Sequence, residues 1–190
     1  MPWHDPAGQA FSARRYACVM LVLALGSIPA VTRAQTQNKP VPPVAAAALQ
    51  KLLPVIDGWT SGVARADLVE LSPEAKYTFA SVTLTKGDFK VKLQLADSGS
   101  SADVLLVIAT MVATLPQDYS GDVSGATIKR TMIAESPAAE SWHKENSSGE
   151  ITVVVGGRFV ASVETSKADS LETLRGILAK VDLRALAALK

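Results

Sequence analysis

A chain of 190 residues, 48% hydrophobic and 19% charged, suits one packed domain with a leader. That balance excludes a disordered chain and a membrane bundle. The formal net charge of +1 leaves no global field to draw nucleic acid or an anionic bilayer.

Residues 1–34 have the order of a secretory signal peptide. Arg14 and Arg15 supply the positive end, Tyr16 to Leu25 an apolar core, and Gly26 and Pro29 break that core before a small-residue site. Cleavage is expected after Thr32-Arg33-Ala34, giving a mature chain that starts at Gln35 and resides in the periplasm or outside the cell. The core is short for a permanent span, so no transmembrane anchor is expected after cleavage. Ala17 stands where a twin-arginine signal carries a large apolar residue, which favours the general secretion route. The one cysteine, Cys18, lies inside the leader, so the mature chain has no disulfide, thiol nucleophile or thiolate metal site. Cleavage leaves 16 basic and 17 acidic residues, a formal charge of about −1.

Residues 35–44, QTQNKPVPPV, read as an extended proline-rich tether with no packing of its own. A single domain is expected from Ala45 to Lys190. Ala45 to Leu53 is a helix candidate stopped by Pro54, and Thr60 to Leu68 a strand.

Two similar halves follow. Tyr77 to Thr85 and Phe89 to Leu95 form a hairpin about Gly87, and Ser100 to Asp103 open an apolar helix through Leu115. Ile151 to Val155 and Arg158 to Glu164 form a second hairpin about Gly156-Gly157, and Asp169 opens a helix through Val181. Thr127 to Ala134 and Ser141 to Glu145 add strands, and Asp182 caps a last helix from Leu183 to Leu189. A hairpin with one helix buries too little apolar surface alone, whereas two such units can pair edge to edge. The expected fold is an α+β two-layer sandwich: an antiparallel sheet from two hairpin-plus-helix units, with helices mainly on one face.

The second helix carries one stripe, Leu171, Leu174, Leu178 and Val181, with Glu172, Arg175 and Lys180 left for water. The stretch VLLVIATMVATL, residues 104–115, is apolar nearly all round and needs cover on more than one side, from the chain itself, a second subunit in a homodimer, or a ligand. In GEITVVVGGRFVASVET a two-residue Gly-Gly turn pairs Val155 with Arg158, Val154 with Phe159 and Val153 with Val160, leaving both faces apolar near the turn. One face then awaits the N-terminal helix, a dimer partner, or a small apolar ligand. In the last case Arg158 is a rim charge for a carboxylate or phosphate, and otherwise an edge charge that deters strand-to-strand association.

Catalytic chemistry has little to draw on. His143 is the one histidine of the mature chain, and Ser141, on the same face of a strand, lacks a nucleophile elbow. A hydrolase using His143 with Ser141 or Glu145 is the alternative to a non-enzymatic binding protein, and no catalytic residue is assigned. The scattered carboxylates match no calcium loop, and Gly156-Gly157 opens no helix that would cradle phosphate, so no metal or cofactor is expected. Trp59 and Trp142 serve core packing or line a binding groove.

Pro54-x-x-Asp57-Gly58-Trp59, Glu140-x-Trp142, Val155-x-x-Arg158-Phe159, and Val181-Asp182-Leu183 with Leu186 resemble a group of uncharacterised exported bacterial proteins. The resemblance implies export and no activity, and places Trp59, Trp142, Arg158 and Phe159 in one framework. Those four are the candidate ligand contacts, for an unknown protein partner or a small apolar ligand.

Overall fold

The computed structural model describes residues 41–72, 75–99, 112 and 114–189. They form a mostly antiparallel nine-stranded sheet with three short helices. In chain order the elements are α1 (Ala46–Gln50), β1 (Thr60–Ser61), β2 (Arg65–Glu70), β3 (Lys76–Lys86), β4 (Phe89–Asp97), β5 (Ser120–Val123), β6 (Ala126–Ile133), β7 (Ser136–His143), β8 (Ser148–Val155), β9 (Phe159–Lys167), α2 (Leu171–Leu178) and α3 (Leu183–Ala187).

The sheet runs β1-β3-β4-β9-β8-β7-β6-β5, with β2 beside β1 on the outer side of β3. The hairpins β3–β4 and β8–β9 therefore join through β4 and β9, edge to edge as their alternation demands. Strand period 2 sorts the side chains. Leu93, Leu95, Ile151, Val153, Ala161 and Val163 enter the main core cluster together with Leu49 of α1, Leu174, Ile177 and Leu178 of α2, and Leu186 of α3. Residues of opposite parity form smaller clusters, Ala96 with Val160 and Val154 with Val112.

Several elements depart from the sequence reading for local reasons. The strand expected over Thr60 to Leu68 is two strands, because Gly62, Val63 and Ala64 stand opposite only two residues of β3 and shift the register by one. The β8–β9 connection has three residues: Gly156 and Gly157 at φ +60° and +69°, then Arg158. The Arg158 amide closes the turn on the Val155 carbonyl at 3.2 Å. The ladder resumes one residue later, Val155 with Phe159, Val154 with Val160 and Val153 with Ala161, the signature of a bulge. This corrects the expected pairing. Phe159 joins Val153 and Val155 in the main core, and Val154 and Val160 face the other way.

β5 and the first half of β7, in loop regions of the sequence reading, are strands. The uncharged stretch 104–115 lies largely outside the described residues; of it, Val112 is buried against Val154 and Ala139. The expected signal peptide lies wholly outside them. Residues 41–44 are not free: Val44 is buried, and the chain there is hydrogen-bonded to the end of the sheet. No helix among the described residues is long and apolar enough to cross a membrane.

Candidate functional site

β4 alternates as FKVKLQLAD, so Asp97 shares the buried face with Val91, Leu93 and Leu95 and is 0% exposed. A carboxylate there needs its lone pairs filled. Arg158 donates from Nε to Oδ1 at 2.8 Å and from a terminal nitrogen to Oδ2 at 2.7 Å. The Gly99 amide donates to Oδ1 and the Val44 amide to Oδ2, each at 2.7 Å. The same guanidinium donates to the Pro42 carbonyl at 3.0 Å and lies 5.0 Å from the Phe159 ring centroid. Bonding to Asp97 is the main reason the Arg158 pKa is raised, against the effect of burial. Gly99 has no room for a side chain, since a Cβ would come within 2.2 Å of the Val41 carbonyl oxygen. Arg158 is thus the central bolt of an internal clamp that ties residues 41–44 to β4 and β9.

The tryptophans sit elsewhere. Trp59 packs on the main core beside β1, with the Lys86 ammonium 6.0 Å from its ring. Trp142 packs on the same core from β7, lying so close to Gly149 that a Cβ there would approach its ring to 2.6 Å. Trp142 pairs with Gly149, which pairs with Thr165, six residues along β9 from Phe159, or about 20 Å at strand rise. Four strands separate Trp142 from β1. The fold brings Arg158 and Phe159 together and leaves Trp59 and Trp142 apart from them and from each other.

Ser141 and His143 lie on the β7 face away from the main core, Ser141 opposite Glu150 and His143 opposite Ser148. Among the described residues no hydrogen bond joins them to each other or to Glu145. Nor do three His, Cys, Asp or Glu side chains converge there as metal donors.

A concave site lies where sequence reasoning did not look. Glu140 of β7 points into the main core and is 3% exposed. Arg175 of α2 answers it with two hydrogen bonds, 2.7 Å from Nε and 2.5 Å from a terminal nitrogen, and also bonds Glu172. The Glu140 bonds are the main reason the Arg175 pKa is raised. They fix α2, which packs on β8 and β9, at the near side of β7. Beyond it no described helix covers β6, and a groove of about 490 Å³ opens, lined by Lys129, Thr131, Met132 and Ile133 of β6, Glu140, and Arg175, Leu178 and Ala179 at the end of α2. A smaller hollow of about 290 Å³ lies along the outer edge of β6, where Gln117 and Asp118 face Lys129 to Met132.

The groove has the size and mixed lining of a ligand site. Lys129 is exposed and, among the described residues, has no ion-pair partner. Its charge stands beside the Thr131 hydroxyl and the apolar Ile133 and Leu178. Such a surface has the chemistry to accept an apolar body with an anionic group, and among the described residues it holds no nucleophile hydrogen-bonded to a base. The sequence signal for it was a lone glutamate at a core-parity position in PAAESW, and for the clamp an aspartate at core parity in FKVKLQLAD. No family model, curated protein or solved structure matches this chain.

Proposed function

We propose that this is an exported, non-enzymatic binding protein, periplasmic or secreted, whose ligand site is the groove between β6 and the end of α2. The groove carries the proposal: an open hollow of about 490 Å³ in which Lys129, exposed and with no ion pair among the described residues, stands beside apolar Ile133. Export is supported by the leader-like order of residues 1–34 and by the resemblance to exported bacterial proteins. The proposed architecture is a two-layer sandwich with the helices mainly on one face. In support, the core residues of α1, α2 and α3 all join the cluster formed by one parity of the strands. With Arg158 held by Asp97, the candidate ligand contacts move from the β8–β9 hairpin to Lys129, Thr131 and Ile133. The hydrolase alternative has no comparable support, since Ser141, His143 and Glu145 form no hydrogen-bonded set.

Native mass spectrometry of protein recovered from the producing cell's envelope tests this directly. The expected species is a chain starting at Gln35 with a bound mass that Lys129→Glu and Ile133→Asp each remove. An uncleaved chain in the cytoplasm would overturn the export half. A bound mass indifferent to both substitutions would overturn the groove.

A further inference from the structure

Resting on the groove as a binding site, we infer that its ligand is an extended peptide that adds to the outer edge of β6 as a short antiparallel strand, with an acidic side chain beside Lys129. β6 runs from Ala126 to Ile133, but its outer neighbour β5 pairs only with Ala126 to Lys129. The Arg130 amide donates to the Tyr119 carbonyl at 2.9 Å. There the chain leaves the line of β5, through a turn in which the Tyr119 amide bonds Pro116 and Asp118 has φ +65°. Thr131, Met132 and Ile133 continue with no strand beyond them among the described residues.

Residues two apart in a strand direct both backbone polar groups to the same side. Since the Arg130 amide points outward, the Met132 N–H and C=O do too. On the inner side Met132 faces Pro137, which has no N–H to give, in agreement with that direction. Sheet edges are ordinarily guarded by charge, proline or a bulge. Thr131, Met132 and Ile133 carry none of these, and Met132 is 51% exposed. Both hollows border this segment, the smaller one walled on its far side by Gln117 and Asp118.

Register sets the peptide chemistry. A residue opposite Met132 exchanges two backbone hydrogen bonds with it. Its neighbour opposite Ile133 lies on the groove face beside that half-buried side chain, which asks for an apolar one. The neighbour opposite Thr131 is one diagonal step from Lys129 on the same face, which asks for an acidic one. Read from its N-terminus, the peptide is apolar, apolar, acidic. Backbone bonds then supply affinity and alternate side chains supply selectivity.

The test uses the full protein and the capped peptide acetyl-Thr-Thr-Val-Val-Glu amide, which ends before the place opposite Arg130 that Tyr119 holds, followed by calorimetry and by amide hydrogen exchange. Binding should protect the Met132 amide. It should weaken about tenfold or more when the second valine is N-methylated, which removes one backbone bond and blocks approach. Glu-to-Lys in the peptide, or Lys129→Glu in the protein, should weaken it comparably. Met132→Pro should abolish binding while Met132→Ala keeps it, and the outward N–H makes no ladder bond whose loss would unfold the sheet. Equal binding of the methylated and unmethylated peptides overturns the inference. If the peptide does not bind while decanoate does, shifting the Ile133 and Leu178 methyl resonances, strand addition falls and the groove reading stands. If neither binds, both fall.

Discussion

Asp97 and Arg158 carry the strongest single dependence in the molecule. The carboxylate is fully buried and accepts four hydrogen bonds, two of them from Arg158. Arg158→Leu leaves that charge unpaired, and urea unfolding should show a loss of about 3–5 kcal/mol. The double variant Asp97→Asn with Arg158→Leu should recover part of it, because no buried charge is then stranded. Alternation carried on through FKVKLQLAD puts Asp97 on the core face, but the strand was expected to end at Leu95 and Asp97 stood only among the scattered carboxylates. The identity of its partner was not legible either. A bulge of one residue at Gly156-Gly157 decided it, and Gly-Gly satisfies two-residue and three-residue connections equally, so Arg158 was assigned to an edge or rim.

At the scale of elements, strands with β-branched alternation were legible and strands without it were not. β3, β4, β6, β8 and β9 lie within a few residues of their expected places, since β-branched and aromatic residues or apolar–polar alternation mark them. β5 is SGDV and β7 opens SPAAES, compositions that favour turns or helices, and pairing makes them strands, β5 with β6 and β7 between β6 and β8. The β6–β7 connection was hidden for a related reason. It is a two-residue turn whose residues, Ala134 and Glu135, have φ +48° and +65°, a conformation that favours Asn and Gly. Side chains with a Cβ are strained there by about 1–2 kcal/mol each. Ala134→Asn with Glu135→Gly should therefore stabilise the protein by about 1 kcal/mol, read as a higher urea midpoint with an unchanged slope. α2 was legible as an amphipathic stripe, but Arg175, assigned to water, is drawn to the sheet by Glu140.

For the whole molecule, pH sensitivity follows from a row of side chains across the sheet face opposite the main core. Glu150 pairs with Glu164, and Glu164 with Lys92, across β8, β9 and β4. Lys92 bridges Glu164 at 3.1 Å. Burial pushes the Glu150 carboxyl above its ordinary 4.5, and the Glu164 charge adds to this; the Thr152 hydroxyl bond and Lys92 act against it. A raised folded value means that the native state holds a proton the unfolded chain has released. Stability is therefore lost as pH rises from about 4.5 through the folded value. Glu150→Gln should flatten that decline and be the more stable protein at neutral pH, as thermal unfolding across pH 4 to 8 would record. Asp169 contributes with the opposite sign and lower in pH. The Thr173 hydroxyl holds its carboxyl below the ordinary 3.8, so its contribution is lost as pH falls from about 3.8 through the folded value.

The clamp also audits assembly. β4 and β9 meet across a separation of 62 residues at Asp97 and Phe159, the seam where the first meander of the chain closes on the second. Many slipped alignments of two alternating apolar strands would bury similar surface, and a slip by two residues would keep every side chain on its proper face. Such a slip would carry Arg158 away from Asp97 by about 7 Å at strand rise, stranding an anion in the core and leaving residues 41–44 without their anchor. One ion pair thus favours the correct alignment over its slipped neighbours, and residues 41–44 gain their anchor only when β9 is in register with β4.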